Sequence, residues 1–85
     1  MRVRDFEAAV LEIEHVAIRI RAPVNTEVGD YDYERQASGG TTVTSWLNTR
    51  ILPKLEDCKV SVVDGTGVSP NGRTQLATVR ATYDN

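Results

Sequence analysis

The chain has 85 residues, which suffices for one domain and not for two. Ten Lys and Arg stand against twelve Asp and Glu, a formal net charge of -2 that lacks the basic excess of a dedicated DNA binder. With 40% hydrophobic and 26% charged residues, the composition excludes wholesale disorder.

One cysteine, Cys58, rules out an internal disulfide and hence a disulfide-stapled secreted scaffold. Residues 1–6 alternate charged and apolar side chains and lack the apolar stretch of a signal peptide. No apolar run approaches the roughly 20 residues needed to span a bilayer. The expected setting is cytoplasmic, with no membrane partner.

In chain order, residues 4–14 read as a first helix. Phe6, Val10 and Ile13 fall on one face at helical spacing. Ala8, Ala9, Leu11 and the glutamates favour the helix, and Asp5 and Glu7 suit its positive N-terminal end. Residues 15–22 switch to a period of two: Val16, Ile18 and Ile20 point one way, His15, Arg19 and Arg21 the other. Pro23, without an N–H for a ladder, ends this strand.

Residues 30–36 alternate too, with Tyr31 and Tyr33 opposing Asp30, Asp32 and Glu34. The turn-prone stretch before them predicts a hairpin in which the tyrosines meet Val16, Ile18 and Ile20 and the carboxylates meet Arg19 and Arg21. After Ser38-Gly39-Gly40, Thr41 or Thr42 is expected to cap a second helix with an apolar stripe of Val43, Trp46, Leu47 and Ile51. Pro53 predicts its end or a kink at Leu52.

Residues 59–64 form a third predicted strand, Val60 and Val62 inward, joined through the second helix as a crossover. A turn-rich loop covers 65–73. Thr74 then caps a last helix carrying Leu76, Val79 and Tyr83, although the alternation of Ala77, Val79, Ala81 and Tyr83 also fits a strand. The expected fold is a two-layer α+β domain over residues 1–85, in the order α-β-β-α-β-α. Its mixed three-stranded sheet carries helices on one face.

Three constellations carry possible chemistry. Gly67 to Thr74 matches the spacing of a phosphate-binding P-loop, with Arg73 where lysine belongs. Glycines free backbone N–H groups to converge on an anion, so Gly65, Gly67, Gly72, Arg73 and Thr74 are the candidate phosphate or nucleotide site. Against hydrolysis stand the substituted lysine and the few residues left after Thr74 to build the usual sheet.

The carboxylates Asp30, Asp32 and Glu34 suggest a hard cation, yet Arg35 and Thr41 occupy the sixth and twelfth positions where an EF-hand needs Gly and Glu. Mutual neutralisation with Arg19 and Arg21 is the simpler reading. Neither metal nor cofactor is expected. His15 and Cys58 are single residues without the partners of a zinc set. Trp46 reads as a core anchor.

The third constellation is a basic strip: Arg19, Arg21 and Lys59 on the outer sheet face, with Arg35 and Arg50 towards its rim. Arginine forks suit phosphates, and outward tyrosines would add stacking platforms for bases. No RNP-type aromatic motif is present.

A small domain with one charged, open sheet face works more readily by contact than by catalysis. The leading expectation is a non-enzymatic binding module that recognises a protein partner. It would be of the accessory or inhibitor type found in mobile genetic elements, an analogy of size alone. Nucleic-acid binding through Arg19, Arg21, Arg35 and Lys59 is the first alternative, and anion binding at Gly67–Thr74 the second. Edge strands in so small a sheet also allow a homodimer.

Overall fold

A computed structural model describes residues 1–23, 25–55 and 58–83. Helix α1 spans Val3–Glu14 and strand β1 Ala17–Arg21. A helical rod follows as α2 (Val43–Trp46), a π turn (Leu47–Ile51) and α3 (Leu52–Leu55). Strand β2 covers Lys59–Val63 and helix α4 Leu76–Ala81. The last segment is therefore a helix, as its Leu76–Val79 stripe predicts; both residues are buried.

Helix α1 buries Val3, Phe6, Val10 and Glu14, and half-buries Ile13. It stops at His15, whose left-handed backbone (φ 56°) returns its N–H to the Leu11 carbonyl at 3.0 Å. That reversal sends the chain directly into β1. Val16, Ile18 and Ile20 turn inward, and Arg19 and Arg21 stay exposed, matching the period of two.

The sheet departs from expectation. Among the described residues it has two strands, paired antiparallel, with Ile18 opposite Val62 and Ile20 opposite Val60. It is not a mixed sheet of three. The predicted strand at 30–36 forms no ladder because its flanking donors are spent elsewhere. Val28 N–H donates to the Met1 carbonyl, Gly29 N–H to Lys54, and Ala37 N–H to the Glu14 carboxylate.

Tyr31 is instead a core residue, packed edge-on to Phe6 at 5.3 Å between ring centroids. Its alternation with Tyr33 reflected one buried and one half-buried ring on an extended loop, a pattern that mimics a strand.

Pro53 does not end the rod. Leu52 N–H reaches back five residues to the Leu47 carbonyl, and the helix continues through Pro53 to Leu55. The widened turn accommodates a residue that lacks an N–H and would crowd the preceding turn of a regular helix. It also shifts the buried stripe by one residue, from Val43 and Trp46 to Ile51 and Leu55. The N-cap is Thr42, whose hydroxyl accepts the Ser45 N–H at 3.2 Å. At α4 the cap position is Gln75, not Thr74, and no side chain bonds there.

Candidate functional site

The period of two places Arg19, Arg21, Lys59 and Ser61 on the sheet face opposite the core, and all four are exposed. Register puts Arg19 opposite Ser61 and Arg21 opposite Lys59. Two cations thus face each other directly across one rung, an arrangement that disfavours the sheet. The carboxylates expected to neutralise them lie elsewhere. Asp30 bonds the N-terminal ammonium at 3.1 Å, and Asp32 pairs with Lys54 at 3.6 Å. Among the described residues no carboxylate comes within ion-pairing distance of Arg19, Arg21 or Lys59.

Both sheet edges are guarded. On β1 the Ile20 N–H donates to the Glu7 carboxylate at 2.8 Å, and the Ile20 carbonyl accepts from Ala22 N–H at 3.1 Å. On β2 the Ser69 hydroxyl donates to the Val62 carbonyl at 3.0 Å. At the far end the Tyr83 hydroxyl accepts from Ala17 N–H at 3.2 Å and donates to the Val63 carbonyl, so one phenol bridges the two strands at their last rung.

Arg35 and Arg50 do not join the strip. Arg50 lies in the π turn and turns to the end of α1, where its guanidinium donates to Glu14 at 2.8 Å and to the Arg35 carbonyl at 2.7 Å. Arg35 is exposed on the loop closing over that end. Arg50 also stacks on the half-buried Tyr33 ring at 4.3 Å, which covers the platform that base stacking would need.

Glu14 is the residue that sequence reasoning passed over. It is fully buried, and its carboxylate accepts from the Tyr31 hydroxyl, Ala37 N–H, Arg50 and Arg80 (3.2 Å). Its backbone carbonyl takes a further bond from Arg80 at 2.8 Å. Burial pushes its carboxyl up, but the hydrogen bonds from Tyr31, Ala37 and Arg50 outweigh burial and hold it below the ordinary range. The same burial, and the charge of Glu14, push the Tyr31 phenol well above its ordinary range. Trp46 Nε1 lies by this carboxylate but finds no acceptor at hydrogen-bonding geometry among the described residues. One signal pointed to Glu14: it follows Val10 by four residues, on the apolar face of α1.

The loop of the anion-site candidate is organised by its own anion. The Asp64 carboxylate accepts from Thr66 N–H (2.9 Å), Thr66 hydroxyl (2.7 Å) and Val68 N–H (3.0 Å). Those bonds, that of the Thr66 hydroxyl first, hold its carboxyl below the usual range. Gly67 adopts a left-handed φ of 84° within this turn. Gly65 presses so closely on the Thr82 carbonyl that a Cβ would overlap it, and its N–H donates to the Thr82 hydroxyl at 2.6 Å.

Further along, Gly72 packs on Thr44, and its carbonyl accepts the Thr44 N–H at 3.0 Å. Arg73 and Thr74 donate their N–H groups to Asn71 (both 2.9 Å), and the Arg73 side chain is exposed. Gly65 and Gly72 thus dock the loop on Thr82 and on the rod, and the N–H groups of Gly65, Gly67, Arg73 and Thr74 are engaged within the protein.

Among the described residues, no cluster of three His, Cys, Asp or Glu side chains could hold a metal, and no helix is long and apolar enough to cross a membrane. Comparison with protein-family models, curated proteins and solved structures finds no match for this chain.

Proposed function

We propose that this chain is a non-enzymatic binding module that recognises a protein partner through the open face of its sheet. The observation that carries this reading is the face itself. Arg19, Arg21, Lys59 and Ser61 form two adjacent rungs of exposed side chains, while their neighbours Ile18, Ile20 and Val62 anchor both strands in the core. Such a surface is rigid because its backbone is fixed from below, and rigidity lowers the ordering cost of association. The size and composition suit an accessory or inhibitor protein, whose work is to occupy another protein's surface.

The test compares wild type with the Arg19→Glu/Arg21→Glu variant as immobilised bait, after circular dichroism has established that both fold alike. A partner held by wild type and released by the variant supports the reading. Equal retention by both sinks it.

A further inference from the structure

We infer that the partner surface is acidic and docks flat across the two strands, not as an added strand along an edge. This rests on the reading of the sheet face above and names the chemistry that face recognises. Three independent observations meet here.

The first is charge. Arg21 stands directly opposite Lys59, and Arg19 lies two residues along the same strand. Neighbours across a rung are about 5 Å apart, and alternate residues along a strand about 7 Å. Three cations therefore sit in a compact corner, on a chain whose net charge is negative, and among the described residues no carboxylate forms an ion pair with any of them. Carboxylates spaced at about 5–6 Å, as on one face of a helix, match that corner.

The second is the state of the edges. A strand adding to β1 must displace Glu7 from the Ile20 N–H, and one adding to β2 must displace Ser69 from the Val62 carbonyl. Side chains that occupy edge groups in this way block strand addition. The third separates carboxylates from nucleic-acid phosphates. Single-strand binding draws much of its strength from bases stacked on aromatic rings. Here Phe6, Tyr31 and Trp46 are buried, Tyr33 is covered by Arg50, and the half-buried Tyr83 is tied through its hydroxyl to Ala17 and Val63. No aromatic residue belongs to either strand.

The experiment is an amide NMR titration with two probes of equal charge: a glutamate-rich helical peptide and an oligothymidylate. The peptide is expected to shift Arg19, Arg21, Lys59 and Ser61 and to bind more weakly as salt rises. Removing one cation, as in Arg21→Ala, should weaken binding by about two- to fivefold, the worth of an exposed ion pair. Lys59→Glu gives a readout that a merely structural role would not produce. It removes the like-charge opposition, so the Tm should rise by roughly 1–8 °C while peptide binding falls.

Tighter binding of the oligonucleotide overturns the acidic-protein assignment. New protection of the Val60 amide against exchange, signalling an added strand, overturns flat docking. A silent peptide, beside a captured partner that the Arg19→Glu/Arg21→Glu variant releases, overturns the acidic chemistry and leaves the sheet-face reading intact. Retention of that partner by the variant overturns both.

Discussion

Glu14→Gln is the most informative single change, because it removes one charge and almost no volume. In the wild-type protein the carboxylate is fully buried and joins four segments: α1, the loop at Tyr31 to Ala37, the π turn through Arg50, and α4 through Arg80. Glutamine keeps one acceptor oxygen and replaces the other with an NH2 group. That group cannot accept from the Tyr31 hydroxyl or from Arg50. Removing one member of a buried ion pair costs about 3–5 kcal/mol when the remaining charge is stranded. Here the arginine side chains are 23% and 16% exposed, so each can recover some hydration, and about 2–3 kcal/mol is the expected loss.

For a domain this small, 1 kcal/mol moves Tm by about 4–8 °C, so the variant should melt roughly 8–24 °C lower. Urea unfolding followed by circular dichroism should give a lower midpoint with an unchanged slope. The pH dependence has a fixed sign. The folded carboxyl lies below its ordinary value of 4.5, so its stabilisation is present above that pH and is lost as pH falls through the folded value. The gap between wild type and variant should therefore be constant near neutrality and narrow in acid below about pH 4.5. A variant within 0.5 kcal/mol of wild type at pH 7, or a gap that widens in acid, refutes the argument.

Other consequences are equally direct. Tyr83→Phe removes the phenol between Ala17 N–H and the Val63 carbonyl, and should cost about 1–3 kcal/mol in urea unfolding, with faster amide exchange at Ala17. Gly65→Ala drives a Cβ into the Thr82 carbonyl and should lower the Tm by more than about 8 °C, whereas Gly67→Ala meets no neighbour and is strained only by its φ, costing about 1–2 kcal/mol. Glu7→Ala with Ser69→Ala uncovers an edge group on each strand. Sedimentation should then detect more self-association than in wild type, and an unchanged association state at all concentrations would count against edge protection.

Where local physics is decisive, the sequence was legible. The Phe6–Val10–Ile13 spacing produced α1, strict alternation produced β1 and β2 with Arg19, Arg21 and Lys59 outward, and Leu76 with Val79 marked α4 as a helix. These patterns say which face of an element is apolar, and burying that face is the dominant driving force. The outward positions of the three cations could thus be read before any coordinates, because outward positions follow from inward ones.

Which elements meet is a different matter, settled by competition among partners distant in the chain. The tyrosines at 31 and 33 alternate like a strand, but β2 holds one edge of β1, Glu7 guards the other, and the loop's donors go to Met1, Lys54 and Glu14. Pro53 reads as a helix end or kink at Leu52; the helix does not end there, because a π turn carries the rod past it and brings Arg50 to Glu14. The glycines of the 65–73 loop read as an anion cradle, yet close packing on Thr82 and Thr44 accounts for two of them. Periodicity records how each segment divides between water and core. The buried charge at Glu14, the pairing of the strands and the neighbours of the cations depend on free-energy differences between whole arrangements, which only the folded chain decides.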